Sequence, residues 1–241
     1  MESPTYLHAG KVINSRYRLI TPIGSGTLAQ VYLADDIRVR KQTIVKVFDA
    51  PFRSGNEVVD DFQISLQDLA RTSHPNLIKI LDWGSGEISY IVTEFLAGGD
   101  LRAMLQQDAS LSVAQITLIM MEILKGTSYL HERGKVHGGL KPENVIFSLN
   151  GDLKLSDTGM GSVSAKYFSS ELVTEGPYVS PELSQGGLLS PAADVYAIAA
   201  IFKELIQTKL PESKNTGKAQ KIDSELLEEL EAGFASALSA K

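Results

Sequence analysis

The segment YLHERGKVHGGLKPENVIF, residues 129–147, carries the densest chemistry in this chain. It leaves a stretch of helical periodicity over Val113–His131 and enters a loop-rich run from Gly134 to Gly187. Its centre is His137-Gly138-Gly139-Leu140-Lys141-Pro142-Glu143-Asn144. Downstream come Leu155-Ser156-Asp157-Thr158-Gly159, then Ser180-Pro181-Glu182, then Asp194-Val195-Tyr196. Upstream, Gly24-Ser25-Gly26-Thr27-Leu28-Ala29-Gln30-Val31 sits between two strand-like runs, where small residues let a backbone approach a phosphate closely. Two glycines alone are a weak signal, because any hairpin carries them. Lys46, inside the next apolar strand, sharpens it, since a buried-strand lysine is costly unless it meets an anion.

Around these motifs the pattern divides in two. The first part alternates short β-branched runs with glycine and charged turns: Tyr17–Ile20, Val31–Ala34, Thr43–Phe48, Ile78–Asp82 and Ile88–Glu94. A helix is predicted over Glu57–Thr72, with Val58, Phe62, Leu66 and Leu69 on its apolar side. After Gly98-Gly99 the pattern becomes helical, at Leu101–Gln106, Val113–His131, Ala192–Thr208 and the amphipathic Ser224–Ala240. A β-rich lobe followed by an α-rich lobe is the implied architecture.

Composition bounds the function. At 241 residues, 43% hydrophobic and 22% charged, the chain buries a full core, which excludes a disordered chain, a fibre or a coiled coil. The longest apolar run, Val195–Phe202, is far shorter than a membrane span, and the first twenty residues lack a secretory signal pattern. With no cysteine, disulfides, thiolate metal sites and cysteine nucleophiles are excluded. A net charge of −6 argues against a general nucleic-acid footprint. The expectation is a cytoplasmic domain with no nucleic-acid partner and no membrane span in this chain.

In their order and spacing the quoted segments resemble the eukaryotic-type (Hanks-type) Ser/Thr protein kinase family, bacterial branch. GSGTLAQVYLADD resembles the family's glycine-rich loop, and residues 129–147 resemble its catalytic loop with the preceding helix. The match runs from about Arg16 to Pro211. It implies an α+β, bilobal kinase-like fold: an extension over 1–15, a β-rich lobe over 16–96, and a shortened α-rich lobe over 97–241. It also implies ATP with Mg2+ as cofactor, nucleotide contacts from Gly24, Gly26, Val31, Ile44, Lys46, Thr93 and Ile146, and metal contacts from Asn144 and Asp157.

The departures from the family pattern fall on the reacting atoms. The catalytic aspartate position, which orients the substrate hydroxyl, is Gly139, while Lys141 is retained. The arginine before it is Gly138, and the helix glutamate that pairs with the strand lysine is Ser65. Gln63, Gln67 and Asp68 lie near in sequence but point elsewhere around the helix. The metal-binding Asp-Phe-Gly is Asp157-Thr158-Gly159, and the small alanine that roofs the adenine is Ile44, so its side chain is expected to intrude on the purine pocket between Val31 and Ile146. A threonine near the catalytic lysine is Glu175, which would pair with Lys141. Glu182 lacks its distant arginine, since no Arg follows Arg133. Only thirty residues follow Pro211, so the shortened lobe is expected to leave apolar surface for a partner or a larger parent chain.

Structural roles compete with functional ones at several positions. Asn144 can hold its loop, Asp157 can cap a turn, and His137 and Asp194 are expected to be structural. His8, His74 and His131 have no metal-ligand spacing. The expectation is a pseudokinase that works as scaffold or allosteric module, its partner an active kinase or another protein. A weak Ser/Thr kinase and an ATP-binding sensor without phosphotransfer are the alternatives.

Overall fold

Alternating apolar residues in the first part of the chain build one antiparallel sheet. In the computed structural model, which describes residues 7–25, 29–48, 66–84, 88–108, 110–159 and 176–209, its strands are β1 (Val12–Ile13), β2 (Tyr17–Ser25), β3 (Ala29–Asp36), β4 (Lys41–Phe48), β5 (Ile80–Gly84) and β6 (Ser89–Glu94). Their order in the sheet is β1-β2-β3-β4-β6-β5. The pleat sends alternate side chains to opposite faces. Tyr17, Leu19, Tyr32, Ala34, Val45, Val47 and Val92 form a buried cluster on one face. The Tyr17 hydroxyl donates to Asp82 Oδ2 at 2.7 Å, and burial together with that bond raises its pKa well above the usual phenol range. On the other face, Val31 pairs with Lys46, Leu33 with Ile44 and Ile44 with Thr93, all partly exposed.

The second part is helical: α1 (Leu101–Leu105), α2 (Val113–His131), α3 (Pro181–Ser184) and α4 (Pro191–Lys209). A capping box starts α2, with Ser112 and Gln115 each bonding the other's backbone. Ile116, Met120, Ile123 and Leu130 recur along its buried side and pack with Ala197, Ile198, Ile201 and Leu205 of α4 in one core. Each such fully buried aliphatic contributes about 1.5–3 kcal/mol. Gly126 is the close-approach point of α2, because a Cβ there would lie 3.0 Å from Leu155 Cδ1 and 3.1 Å from the Asn76 carbonyl.

The α+β, two-lobed architecture agrees with the sequence pattern, and α2 spans the predicted residues. Inside the stretch read as loop, the chain forms a 3-10 helix (Pro142–Asn144), the hairpin β7 (Val145–Phe147) with β8 (Leu153–Leu155), and α3. Three-residue strands are too short for alternation to show, so pairing rather than pattern defines them. The residues read as a turn at Gly24-Ser25 belong to β2. Of the helix predicted over 57–72, residues 66–70 are helical and the earlier part lies outside the described residues. The predicted helix at 224–240 also lies outside them. Among the described residues, no helix is long and apolar enough to cross a membrane.

Asp194, in the first turn of α4 and 1% exposed, accepts from His137 N at 2.8 Å and Gly138 N at 2.9 Å, and pairs with His131 Nε2 at 2.8 Å. These bonds fix the loop to the helical core. Asp194→Ala would strand two buried N–H groups at about 1–3 kcal/mol each. The melting midpoint of the variant is expected to fall by roughly 4–24 °C. A drop under about 2 °C in a calorimetric scan would show that the grip is not structural.

Candidate functional site

The loop gripped by Asp194 runs along the opening between sheet and helices. Gly138 has φ 71°, a left-handed conformation that glycine adopts without strain. Gly139 follows with no side chain, and its carbonyl accepts from Asn144 Nδ2 at 2.7 Å. Asn144 therefore holds the loop, as its structural reading proposes. Its amide oxygen accepts no hydrogen bond from the described residues. A Cβ placed at Gly139 would meet only Asn144 Nδ2, at 4.0 Å, so a larger side chain has room there. Lys141 is exposed and makes no ion pair among the described residues. Glu175, its expected partner, lies outside them, as do Gly26 and Ser65.

Lys46 reaches across from β4 and donates to Asp157 Oδ1. Among the described residues, the aspartate that follows β8 is the carboxylate that Lys46 meets. Burial, and then the charge of Lys141, push the Lys46 pKa down to about 8. The Asp157 carboxylate beside it keeps the ammonium charged at neutral pH. Asp157 itself has φ 59°, a left-handed conformation that costs a non-glycine residue about 1–2 kcal/mol. Among the described residues, Lys46, Lys141 and Asp157 bring two positive charges and one negative charge to this part of the chain.

Behind this pair lies an open cleft lined by Lys46, Leu69, Ile80, Ile91, Thr93 and Asp157 among others. Lys46, Thr93 and Asp157 are the predicted site residues that it contains. Val31 and Ile44 share the Lys46 face of the sheet, and Gly24 lies over Val31, where a Cβ would sit 4.0 Å from Val31 Cβ. Ile44 is half-buried beside Thr93. Ile146, in β7, forms a backbone bridge with Asp100, the residue that caps α1. Thr158 puts a buried hydroxyl, unpartnered among the described residues, where the family pattern has phenylalanine. Gly159, φ 72°, sits so close to Leu69 that a Cβ would be 2.7 Å from Leu69 Cδ2.

The neighbouring carboxylates are engaged elsewhere. Glu143 accepts from Arg102 Nε at 2.8 Å, which holds its pKa below the usual carboxylate range although burial opposes this. Arg102 also donates to Glu204 at 2.5 Å and to the Tyr178 hydroxyl at 2.5 Å. Burial and Glu204 push the Tyr178 pKa up to about 12. This Arg102 cluster draws on four segments far apart in sequence, so no local pattern announces it. His137 is buried completely, its pKa lowered by that burial, and among the described residues neither ring nitrogen has a well-formed hydrogen bond. Glu182 makes no ion pair among the described residues, and its carbonyl accepts from Gly187 N at 2.7 Å. No group of three His, Cys, Asp or Glu side chains suited to a metal occurs among the described residues.

A sheet lobe and a helical lobe, with a strand lysine meeting the aspartate that follows β8 and an asparagine closing the loop, define a protein kinase-like fold. The chain belongs to the protein kinase domain family, which it matches over residues 17–238, and to the bacterial Hanks-type Ser/Thr branch. It is 30% identical over 207 residues to the serine/threonine-protein kinase PrkC of Bacillus subtilis, covering 84% of this chain and 32% of that protein. It is 33% identical over 214 residues to the probable serine/threonine-protein kinase PknB of Lactococcus lactis, covering 85% of this chain and 34% of that protein. The chain thus spans about a third of the length of these relatives. The crystal structure of the Mycobacterium tuberculosis PknI kinase domain shares the fold, with a TM-score of 0.72 at 22% identity, covering 98% of this chain and 92% of that one.

A lysine whose pKa is lowered to about 8 carries more free amine at moderate pH than a solvated one. Acylation of Lys46, followed by mass spectrometry, is expected to rise through a midpoint near pH 8. A Lys46 midpoint above about 10, the solvated value, would contradict this reading.

Proposed function

We propose that this chain is a pseudokinase, a kinase-fold module of a signalling protein that acts through protein contacts rather than by phosphate transfer. The observation that carries this reading is Gly139. The position that in the family holds the substrate hydroxyl has no side chain, and nothing on the loop substitutes for it: Glu143 is held by Arg102 and Asp194 by the loop backbone. Asp157 is engaged by Lys46. Loss of a general base costs about 10²–10⁴-fold, and loss of orientation adds to that. Partners of such a module are an active kinase or other segments of a longer parent protein.

A second reading, an ATP-binding sensor, is favoured by the positive charges of Lys46 and Lys141. Phosphates are the ligand that such a pair attracts. Asp157 and the free amide oxygen of Asn144 are the groups that would hold Mg2+, which accepts one or two protein oxygens when phosphates supply the rest. Bound Mg2+ would neutralise phosphate charge. In this chain Lys46 would exchange Asp157 for a phosphate oxygen, and Ile44 would set the space left for a base. The departures at Ile44 and Thr158 argue for weak nucleotide binding.

Two measurements test these readings. Phosphotransfer from ATP to casein by the wild-type chain is expected to stay at the no-enzyme background, against roughly 1–100 s⁻¹ for active kinases. Turnover above about 10⁻² s⁻¹ that Asp157→Asn abolishes would replace the pseudokinase with a weak kinase. Because the space at Gly139 is open, Gly139→Asp is expected to fold, and with Ser65→Glu to raise transfer above wild type. In a thermal melt, a nucleotide at a hundred times its Kd stabilises by about 2.7 kcal/mol, a midpoint shift of roughly 5–11 °C. A shift that requires Mg2+ supports the sensor, and an unchanged midpoint supports the scaffold alone.

A further inference from the structure

In kinase-like folds the strand lysine is the group expected to hold the adjacent helix, yet here Lys46 is committed to Asp157. The described end of that helix, residues 66–70 with the following turn, is nevertheless fixed on two sides. Leu66, 1% exposed, packs with Ala29, Phe48 and Ile91 of the sheet, and Leu69 packs beside it. On the opposite side a different lysine meets it. Lys135 Nζ lies 2.7 Å from Asp68 Oδ2, 3.0 Å from the Asp68 carbonyl and 2.9 Å from Thr72 Oγ1. An ammonium has three donors, and each finds an acceptor here.

We propose that Lys135 is the positioning clamp of this helix. It neutralises Asp68, caps a carbonyl at the end of the last helical turn, where a cation is favoured, and reaches the Thr72 hydroxyl, which itself donates to the Asp68 carbonyl at 3.1 Å. Its own backbone is rigid: Lys135 N donates to the Leu130 carbonyl at the end of α2, at 3.0 Å. Two residues on, His137 N is held by Asp194. The helix end is thereby tied to the same frame as the catalytic loop. Its position is thus tied to the helical lobe as well as to the sheet, by contacts among the described residues that do not include Lys46. Asp68, the carboxylate nearest in sequence to the missing glutamate position, serves this clamp and not Lys46.

The test is hydrogen exchange by mass spectrometry on the full chain, reading peptides that cover residues 66–72. Lys135→Met keeps most of the apolar stem and removes the charge. It is expected to raise exchange in 66–72 about tenfold while leaving α2 and α4 unchanged, and Lys46→Met is expected to leave 66–72 as in wild type. Asp68→Asn, an exposed change that does not threaten folding, is expected to raise exchange in the same peptides by about threefold. Three results would each overturn the clamp: Lys46→Met loosening 66–72 as much as Lys135→Met, Lys135→Met raising exchange throughout α2 and α4, or no response in 66–72 to either Lys135→Met or Asp68→Asn.

Discussion

Asp194 holds two consecutive backbone N–H groups of the loop at residues 137–138 from the first turn of a buried helix, and most of the site's geometry descends from that grip. A buried carboxylate is tolerable only when its lone pairs are satisfied, and here the loop backbone and His131 satisfy them. Once the loop is fixed, Asn144 closes it by donating to the Gly139 carbonyl, Lys141 projects into the opening, and Gly138 takes up the left-handed turn that no larger residue would enter cheaply. Deleting the side chain at position 139 does not disturb this arrangement, because none of the holding bonds uses it. A chain can therefore lose a reacting group and keep the loop that presented it.

The electrostatics of the opening follow the same logic. Lys46 is driven toward neutrality by burial and by Lys141, and Asp157 opposes that pressure by direct contact. The pair is a compromise that an incoming polyanion would disturb and then replace. Glu143, which on sequence alone is one more acid beside the loop, is withdrawn by Arg102 into a cluster with Glu204 and Tyr178. Among the described residues, what remains beside the loop is the Lys46–Asp157 pair and the exposed Lys141.

Polar and apolar contacts join the segment before β5 to the helical lobe, where Leu77 is buried in one core with α2 and β8. Asn76 donates to Glu122 at 2.6 Å and to the Leu153 carbonyl at 2.9 Å, and its own carbonyl accepts from Leu155 N at 2.8 Å. Gly126 admits this segment against α2. Lys135 supplies a further tie, from the exit of α2 to the helix end at Asp68. A helix held from below in this way has no need of the ion pair that Ser65 cannot make.

Much of the molecule was legible before any fold was known. The alternation of Tyr17, Leu19, Tyr32 and Ala34 marks strands, the recurrence of Ile116, Met120, Ile123 and Leu130 marks α2, and the order of the motifs marks the family. The absence of a side chain at Gly139 is likewise a property of the sequence, because no packing can supply a missing carboxylate. What tertiary structure decided is which charge meets which. Lys46 and Asp157 are 111 residues apart, and Lys135 and Asp68 are 67 apart. Arg102 and Glu204 are 102 apart. Periodicity and motif spacing report only neighbours along a strand or helix, whereas these ion pairs form where separate elements cross, and their partners are chosen by distance and desolvation in the folded chain.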